Sequence, residues 1–348
     1  MGPEDFDYDL PPERIAQHPA PERADARLLV VGSGLLDVRV RHLPDVAAEV
    51  FSARPLFVAN DSRVVPARLE ATRRRDGRTF ELLLCAPAPG QRVGTEVAAW
   101  VRGAKRLREG DVLRAPGLAL RLLGRDAVDP RARRFRVEEG EVLTALERGG
   151  RVPLPPYIAR PPDRRDEVRY QTIFARDPGS VAAPTAGLHF DENLRSTLDM
   201  VHVTLHVGPG TFLPIEAEDV REHKVGAERF RVSEEAASRI EAARAAGRPV
   251  VAVGTTVTRV LETVAGREDG RVVACEGTTD LVIVPGHRFR VIDALWTNFH
   301  LPRSSLLMLV CAFGGRERIL AAYRHAVAAG YRFYSYGDAM LVLPQGAP

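Results

Sequence analysis

Pro249-Val250-Val251-Ala252-Val253-Gly254-Thr255-Thr256-Val257-Thr258-Arg259 is the stretch on which the fold turns. Four uninterrupted apolar residues after a proline suit a strand buried on both faces. One glycine then separates them from Thr255, where a helical pattern begins and runs to residue 264. A strand passing through a single glycine into a helix is half of a βα unit. The neighbouring sequence repeats the alternation. Residues 233–247 read as a helix: Ser233 suits the N-cap, Glu234 and Glu235 suit the positive end of the dipole, and Ala236, Ile240 and Ala243 form an apolar stripe. Val201-His202-Val203-Thr204-Leu205-His206-Val207 and Leu281-Val282-Ile283-Val284 read as strands, and residues 316–330 as a last helix. These elements predict an α/β body, a mixed sheet with flanking helices.

Upstream, the texture changes. Arg78-Thr79-Phe80-Glu81-Leu82-Leu83-Leu84-Cys85 alternates and then runs apolar. Glu96-Val97-Ala98-Ala99-Trp100-Val101, Leu118-Ala119-Leu120-Arg121-Leu122-Leu123 and Arg134-Phe135-Arg136-Val137 follow, separated by Gly and Pro. Short strands without a long helical pattern predict a small antiparallel β-barrel or sandwich, inserted over 61–150 and closed by a helix over 142–148. Residues 1–60 hold a Pro-rich opening, strands at Leu28-Leu29-Val30-Val31 and Pro55-Leu56-Phe57-Val58-Ala59-Asn60, and a helix over 43–51. With 151–348 they make up the body, so the 348 residues divide into two domains.

The net charge of +3 hides an asymmetry. Residues 61–136 hold eighteen Lys and Arg against nine Asp and Glu, a surplus of +9 that leaves −6 for the rest of the chain. A basic module beside an acidic body suits a polyanion held at one end, although a solvated arginine-rich surface would give the same count. The longest apolar run, over 306–313, falls short of the roughly 20 residues of a membrane span. The acidic start has no apolar signal segment. Cys85, Cys275 and Cys311 are widely spaced, as reduced thiols in a cytoplasmic protein would be. No His or Cys pair has ligand spacing, so no metal is expected. A monomer is expected.

Five segments in order resemble one family. They are Asn60-Asp61-Ser62-Arg63-Val64-Val65-Pro66-Ala67-Arg68-Leu69; Leu154-Pro155-Pro156-Tyr157-Ile158 through Tyr170-Gln171-Thr172 to Ala182-Ala183-Pro184-Thr185-Ala186-Gly187-Leu188-His189-Phe190; Thr204-Leu205-His206-Val207-Gly208-Pro209-Gly210-Thr211-Phe212; Val253-Gly254-Thr255-Thr256 with Arg259 and Glu262; and Thr297-Asn298-Phe299-His300-Leu301-Pro302 followed by Tyr336-Gly337-Asp338-Ala339-Met340. Ala104-Lys105-Arg106-Leu107 resembles that family's barrel motif. The chain is thereby similar to the S-adenosylmethionine:tRNA ribosyltransferase-isomerases of queuosine biosynthesis. The resemblance implies an α/β body with an inserted small barrel. It implies S-adenosylmethionine as co-substrate and, as partner, a tRNA carrying 7-aminomethyl-7-deazaguanine at the wobble position. The ribosyl part moves to the aminomethyl nitrogen and rearranges to an epoxycyclopentanediol, giving epoxyqueuosine-tRNA, while adenine and methionine leave. Departures from the family pattern stand at Val257, Gly226, Val282, Val284 and His287.

The implied chemistry nominates residues. Removing a proton beside a sulfonium calls for a base, and His189, His206 and His300 each sit in a matched motif beside Gly or Pro turns, where a structural histidine would also be at home. Gly254, Thr255 and Thr256 open a helix whose free N–H groups and dipole favour a carboxylate, with Arg259 one turn on as a bidentate clamp. A tRNA phosphate would suit the same place. Asp338 would attract and help deprotonate the acceptor amine, or else bond its own turn. Asn298 offers donor and acceptor to a purine edge, and Phe299 a stacking face or core packing. Arg63, Arg68, Lys105 and Arg106 are the expected phosphate contacts. Three other readings remain: a methyltransferase or dinucleotide enzyme, for which Val31-Gly32-Ser33-Gly34 and Val207-Gly208-Pro209-Gly210 are incomplete glycine motifs; a non-catalytic RNA-binding module; and a paralogue acting on a small deazaguanine.

Overall fold

The computed structural model describes residues 1–127, 129–212, 215 and 217–346, with only the backbone of Thr211 and Phe212. A nine-stranded mixed sheet forms the body. Its centre is built from Leu56–Asn60, Val250–Val253 and Ala294–Asn298, which run parallel and are buried throughout. Asp199–Leu205 joins them in parallel on one side, and Ala339–Val342 pairs antiparallel with Ala294–Asn298 on the other. Helices Glu234–Ala245, Thr255–Arg267, Ser305–Gly314 and Arg316–Ala328 share an apolar core with one face. Leu43–Val50 and Glu192–Thr197 cover the other face. Layers on both faces explain why the central strands read as continuous apolar runs. Ser233 caps its helix as its side chain accepts from Ala236 N–H.

Six antiparallel strands close into a barrel between Arg68 and Gly140: Arg68–Arg73, Thr79–Leu84, Glu96–Val101, Val112–Ala115, Leu118–Arg125 and Ala132–Gly140. Alternation fills it. Leu69, Ala71, Phe80, Leu82, Leu84, Val97 and Phe135 point in, and the intervening Arg, Glu and Thr point out. Helix Val142–Gly149 packs Val142, Ala145 and Leu146 into the same core. The barrel proper is thus shorter than 61–150. Ser62–Val64 pairs instead with the body strand Asp177–Ser180.

Leu281-Val282-Ile283-Val284 is not a strand. The sheet edge ends at Cys275–Thr279, and the Leu281 carbonyl accepts from Arg259 Nε at 2.9 Å instead of from a ladder partner. Ile283 packs into the body core all the same. The apolar run over 306–313 is a buried helix capped by Ser304. Among the described residues no helix is long and apolar enough to cross a membrane, and no cluster of three or more His, Cys, Asp or Glu could hold a metal.

Candidate active site

The carboxyl ends of the parallel strands meet in a narrow cleft of about 60 Å³. Ligands of open α/β sheets settle at this edge because helix starts and loops gather there. One wall is the start of helix Thr255–Arg267. Gly254 has φ 100°, and a Cβ there would sit 3.2 Å from Ala186 Cβ, so glycine alone brings the helix start this close to the opposite wall. The first N–H groups of a helix have no intrahelical partner and carry its positive end. Here Thr255 and Thr256 line the cleft, and the Thr256 Oγ1 is buried without a hydrogen-bond partner.

The facing wall is Thr297, Asn298 and His300. Asn298 Nδ2 donates to the Tyr334 carbonyl and to His189 Nε2, both at 3.1 Å. Burial, with help from Arg332 and Arg23, lowers the His189 pKa to about 3. A neutral ring with its proton on Nδ1 leaves Nε2 to accept, which fixes the amide of Asn298. The Oδ1 of Asn298 is then a buried acceptor without a partner in the wall of the cleft. His300 bonds Thr297 Oγ1 through Nε2 at 2.8 Å, and burial lowers its pKa to about 3. Its backbone is clamped: the N–H donates to the Tyr323 hydroxyl at 3.0 Å and the carbonyl accepts from the Tyr8 hydroxyl.

The floor is aromatic. Tyr157 and Tyr334 meet edge to face with centroids 3.8 Å apart, and Tyr170 lines the cleft beside them. Tyr334 holds φ 73°, a costly conformation for a bulky residue, and its N–H donates to the Phe299 carbonyl at 3.0 Å. The last wall comes from the barrel side. Val181 lies in the barrel core, and the next three residues, Ala182, Ala183 and Pro184, line the cleft.

The scan for known families matches residues 3–342 to the model described as Queuosine biosynthesis protein. The chain belongs to this family. The S-adenosylmethionine:tRNA ribosyltransferase-isomerase of Anaeromyxobacter dehalogenans (strain 2CP-C) is 50% identical, over 97% of this chain and 98% of that one. That of Dechloromonas aromatica (strain RCB) is 46% identical, over 99% of this chain and 97% of that one. A crystal structure of the S-adenosylmethionine tRNA ribosyltransferase of Thermotoga maritima is 32% identical, with TM-score 0.53 over 97% of this chain and 100% of that one. Membership makes this chain an enzyme, a transferase-isomerase, and both parts of the fold agree with it.

Of the residues singled out in the sequence, Gly254, Thr255, Thr256, Arg259, Asn298 and His300 come together in the cleft. Arg259 arrives already engaged. Its guanidinium pairs with Glu228, also donates to the Leu281 carbonyl, and is only 9% exposed. Glu228 in turn accepts from the Gly208 N–H at 2.9 Å. A free bidentate clamp is therefore not what the structure shows. A ligand carboxylate would compete with Glu228, which the sequence reading missed.

The others lie elsewhere. His189 stands behind Asn298, not in the cleft lining. The ring of His206 packs on Gly179, where a Cβ would be 2.7 Å from its Nδ1, while its neighbour Val207 lines the cleft. Burial and the Arg229 charge lower its pKa. Both oxygens of Asp338 accept backbone N–H groups, from Arg27 at 2.9 Å and Arg332 at 2.8 Å. Phe299 is fully buried among Tyr323, Tyr331 and Phe333 and has no free face. The aromatic rings that line the cleft are Tyr157, Tyr170 and Tyr334. Tyr157 stood in a quoted motif, but Tyr334 carries no signal short of its backbone angle. Val257, Gly226, Val282, Val284 and His287 are all absent from the cleft lining; Val257 is fully buried in the body core. The side chains of Thr211 and Phe212 lie outside the described residues. Arg63, on the strand beside the barrel, pairs with Glu147 at 3.2 Å, and on the barrel Arg68 pairs with Glu81 at 3.0 Å. Lys105 and Arg106 stand exposed on the turn Ala104–Arg106.

Proposed function

We propose that this protein transfers the ribosyl group of S-adenosylmethionine to the aminomethyl nitrogen of 7-aminomethyl-7-deazaguanine at the tRNA wobble position and isomerises it, releasing adenine and methionine. The observation that carries this reading is the cleft's set of unsatisfied groups. Asn298 Oδ1 and Thr256 Oγ1 await N–H or O–H donors, and the helix start behind Thr256 awaits an anion. An amine, a ribose hydroxyl and a methionine carboxylate are such partners, and the tyrosine floor suits a purine or deazapurine face. His300 is the histidine that lines the cleft; burial keeps its ring neutral and also weakens it as a base. We assign it the proton beside the sulfonium, whose positive charge makes that carbon acidic. His189 orients Asn298. His206 and Asp338 support the walls. Residues 61–150 serve as the RNA-binding module, and the protein works as a cytoplasmic monomer.

The test is incubation with S-adenosylmethionine and tRNA bearing the modified base, following adenine and the mass of the wobble nucleoside. Adenine release with a ribosyl-derived mass gain is the expected result, and His300→Gln should abolish most of it. A methyl-sized gain with adenosylhomocysteine would make the protein a methyltransferase. Turnover of free 7-aminomethyl-7-deazaguanine without tRNA would make it a paralogue.

A further inference from the structure

The barrel has two unlike ends. At its root, Gly150 closes on Pro66 and Val181 enters the core beside the cleft wall. Strand Arg68–Arg73 leads away from that root, and six residues at about 3.4 Å each carry it roughly 20 Å. At the far tip, the turn after Arg73 and the loop after Val101 come together. Arg73 ties them. It is 2% exposed; its Nη1 donates to the Arg106 carbonyl at 2.7 Å and to Asp111 at 3.0 Å, and its Nε donates to Asp76 at 2.9 Å. Asp111 also accepts from the Arg108 N–H at 2.9 Å and pairs with Arg75 at 3.0 Å.

These two acids are thus turned onto the scaffold. Arg74, Arg78, Arg102, Lys105, Arg106 and Arg108 are left exposed, without an ion pair among the described residues. The barrel wall differs: Arg68, Arg121, Arg134 and Arg136 are each paired with a glutamate. Leaving like charges together and unpaired costs stability through repulsion, and the fold holds them in place with a buried arginine.

We propose that the barrel tip is a second RNA contact that grips backbone phosphates of the helical stem next to the loop held at the cleft. This rests on the tRNA reading above. Cations without partners gain most from phosphates, because each contact releases condensed counterions. A-form stems are held by shape and backbone charge rather than sequence, which fits a surface of Arg and Lys on loops. The separation of tip and root requires an RNA that extends beyond its loop. Arg73 is a positioning residue for this surface.

The experiment uses the full chain and a triple variant, R102A/K105A/R106A, with labelled tRNA and fluorescence anisotropy across a KCl series. Thermal melts check that the variant folds. The tip contact predicts a salt slope smaller by about 2–3 and Kd raised roughly 10- to 50-fold near 0.15 M salt. A stemless anticodon-loop oligonucleotide should bind the wild type and the variant alike. An unchanged slope on tRNA, or an equal loss on the stemless loop, would overturn the assignment. Adenine release by the wild type separates the two levels. If it turns over tRNA while the variant binds normally, the tip assignment alone fails; if the wild type neither binds nor turns over tRNA, the enzyme reading fails with it.

Discussion

In the body, Asp338 gives one oxygen to the Arg27 N–H and the other to the Arg332 N–H, and Glu262 does the same for Arg290 at 2.9 Å and Val291 at 3.1 Å. At the barrel tip, six cations face water with no ion pair among the described residues. The contrast follows from dielectric. A buried charge left unpaired is costly, so the body's carboxylates serve as staples that hold loop backbones against the sheet. Charges at the tip are solvated, cost far less to leave free than buried ones, and act over roughly a Debye length of 8 Å. Substitutions should therefore read out as stability in the body and as salt-dependent binding on the barrel.

The largest effect is expected at Asp338. Asp338→Ala leaves two backbone N–H groups without their acceptor and should destabilise the protein by about 3 kcal/mol or more in urea unfolding. A loss under about 1 kcal/mol would break the contrast, since that is the range of a surface pair.

The buried histidines sharpen it. His189 and His300 have folded pKa values lowered to about 3, against an unfolded value of 6.5. Between those values the unfolded chain binds more protons, so stability is intact above about pH 6.5 and falls as pH drops toward 3. At pH 5 each histidine should cost on the order of 2 kcal/mol relative to pH 7. Urea midpoints at the two pH values should differ less in His189→Gln and in His300→Gln than in the wild type. An undiminished pH effect in both variants would mean these rings are not the groups that titrate.

The smallest effect is expected on the barrel wall. Arg136→Ala removes one pair with Glu96 whose members are 54% and 40% exposed, and should shift stability by less than about 0.5 kcal/mol. A shift above about 1 kcal/mol would show that the wall charges are structural like those of the body.

Much of the architecture was readable in advance. The helix after Gly254, the helix capped by Ser233 and the presence of an inserted barrel all follow from local pattern. Arg68–Arg73 went unread because its outward residues are Arg, Glu and Thr, which dilute the apolar signal. Ala294–Asn298 and Ala339–Val342 are five and four residues long and central, so burial on both faces removes their alternation. Leu281-Val282-Ile283-Val284 has strand composition, but the Leu281 carbonyl is taken by the Arg259 guanidinium and the segment pairs with no strand. In the site, the glycine–threonine helix start, Asn298 and His300 were found because chemistry and turn signals coincide in a few residues. Tyr157, Tyr170, Tyr334 and Glu228 come from separate loops or a distant strand, and no periodicity links them.

The sequence by itself determined what depends on neighbouring residues: strand-to-helix alternation, caps, the charge imbalance and the family motifs. Only the tertiary structure decided which side chains face one another. Val207 lines the cleft and His206 does not, although one bond separates them, because successive residues of an extended chain point to opposite sides. Arg259 is engaged by Glu228, and Asp338 by the Arg27 N–H, because a partner distant in sequence packs there. Whether a charge is a staple, a ligand or a free cation depends on what else the fold brings within hydrogen-bond reach.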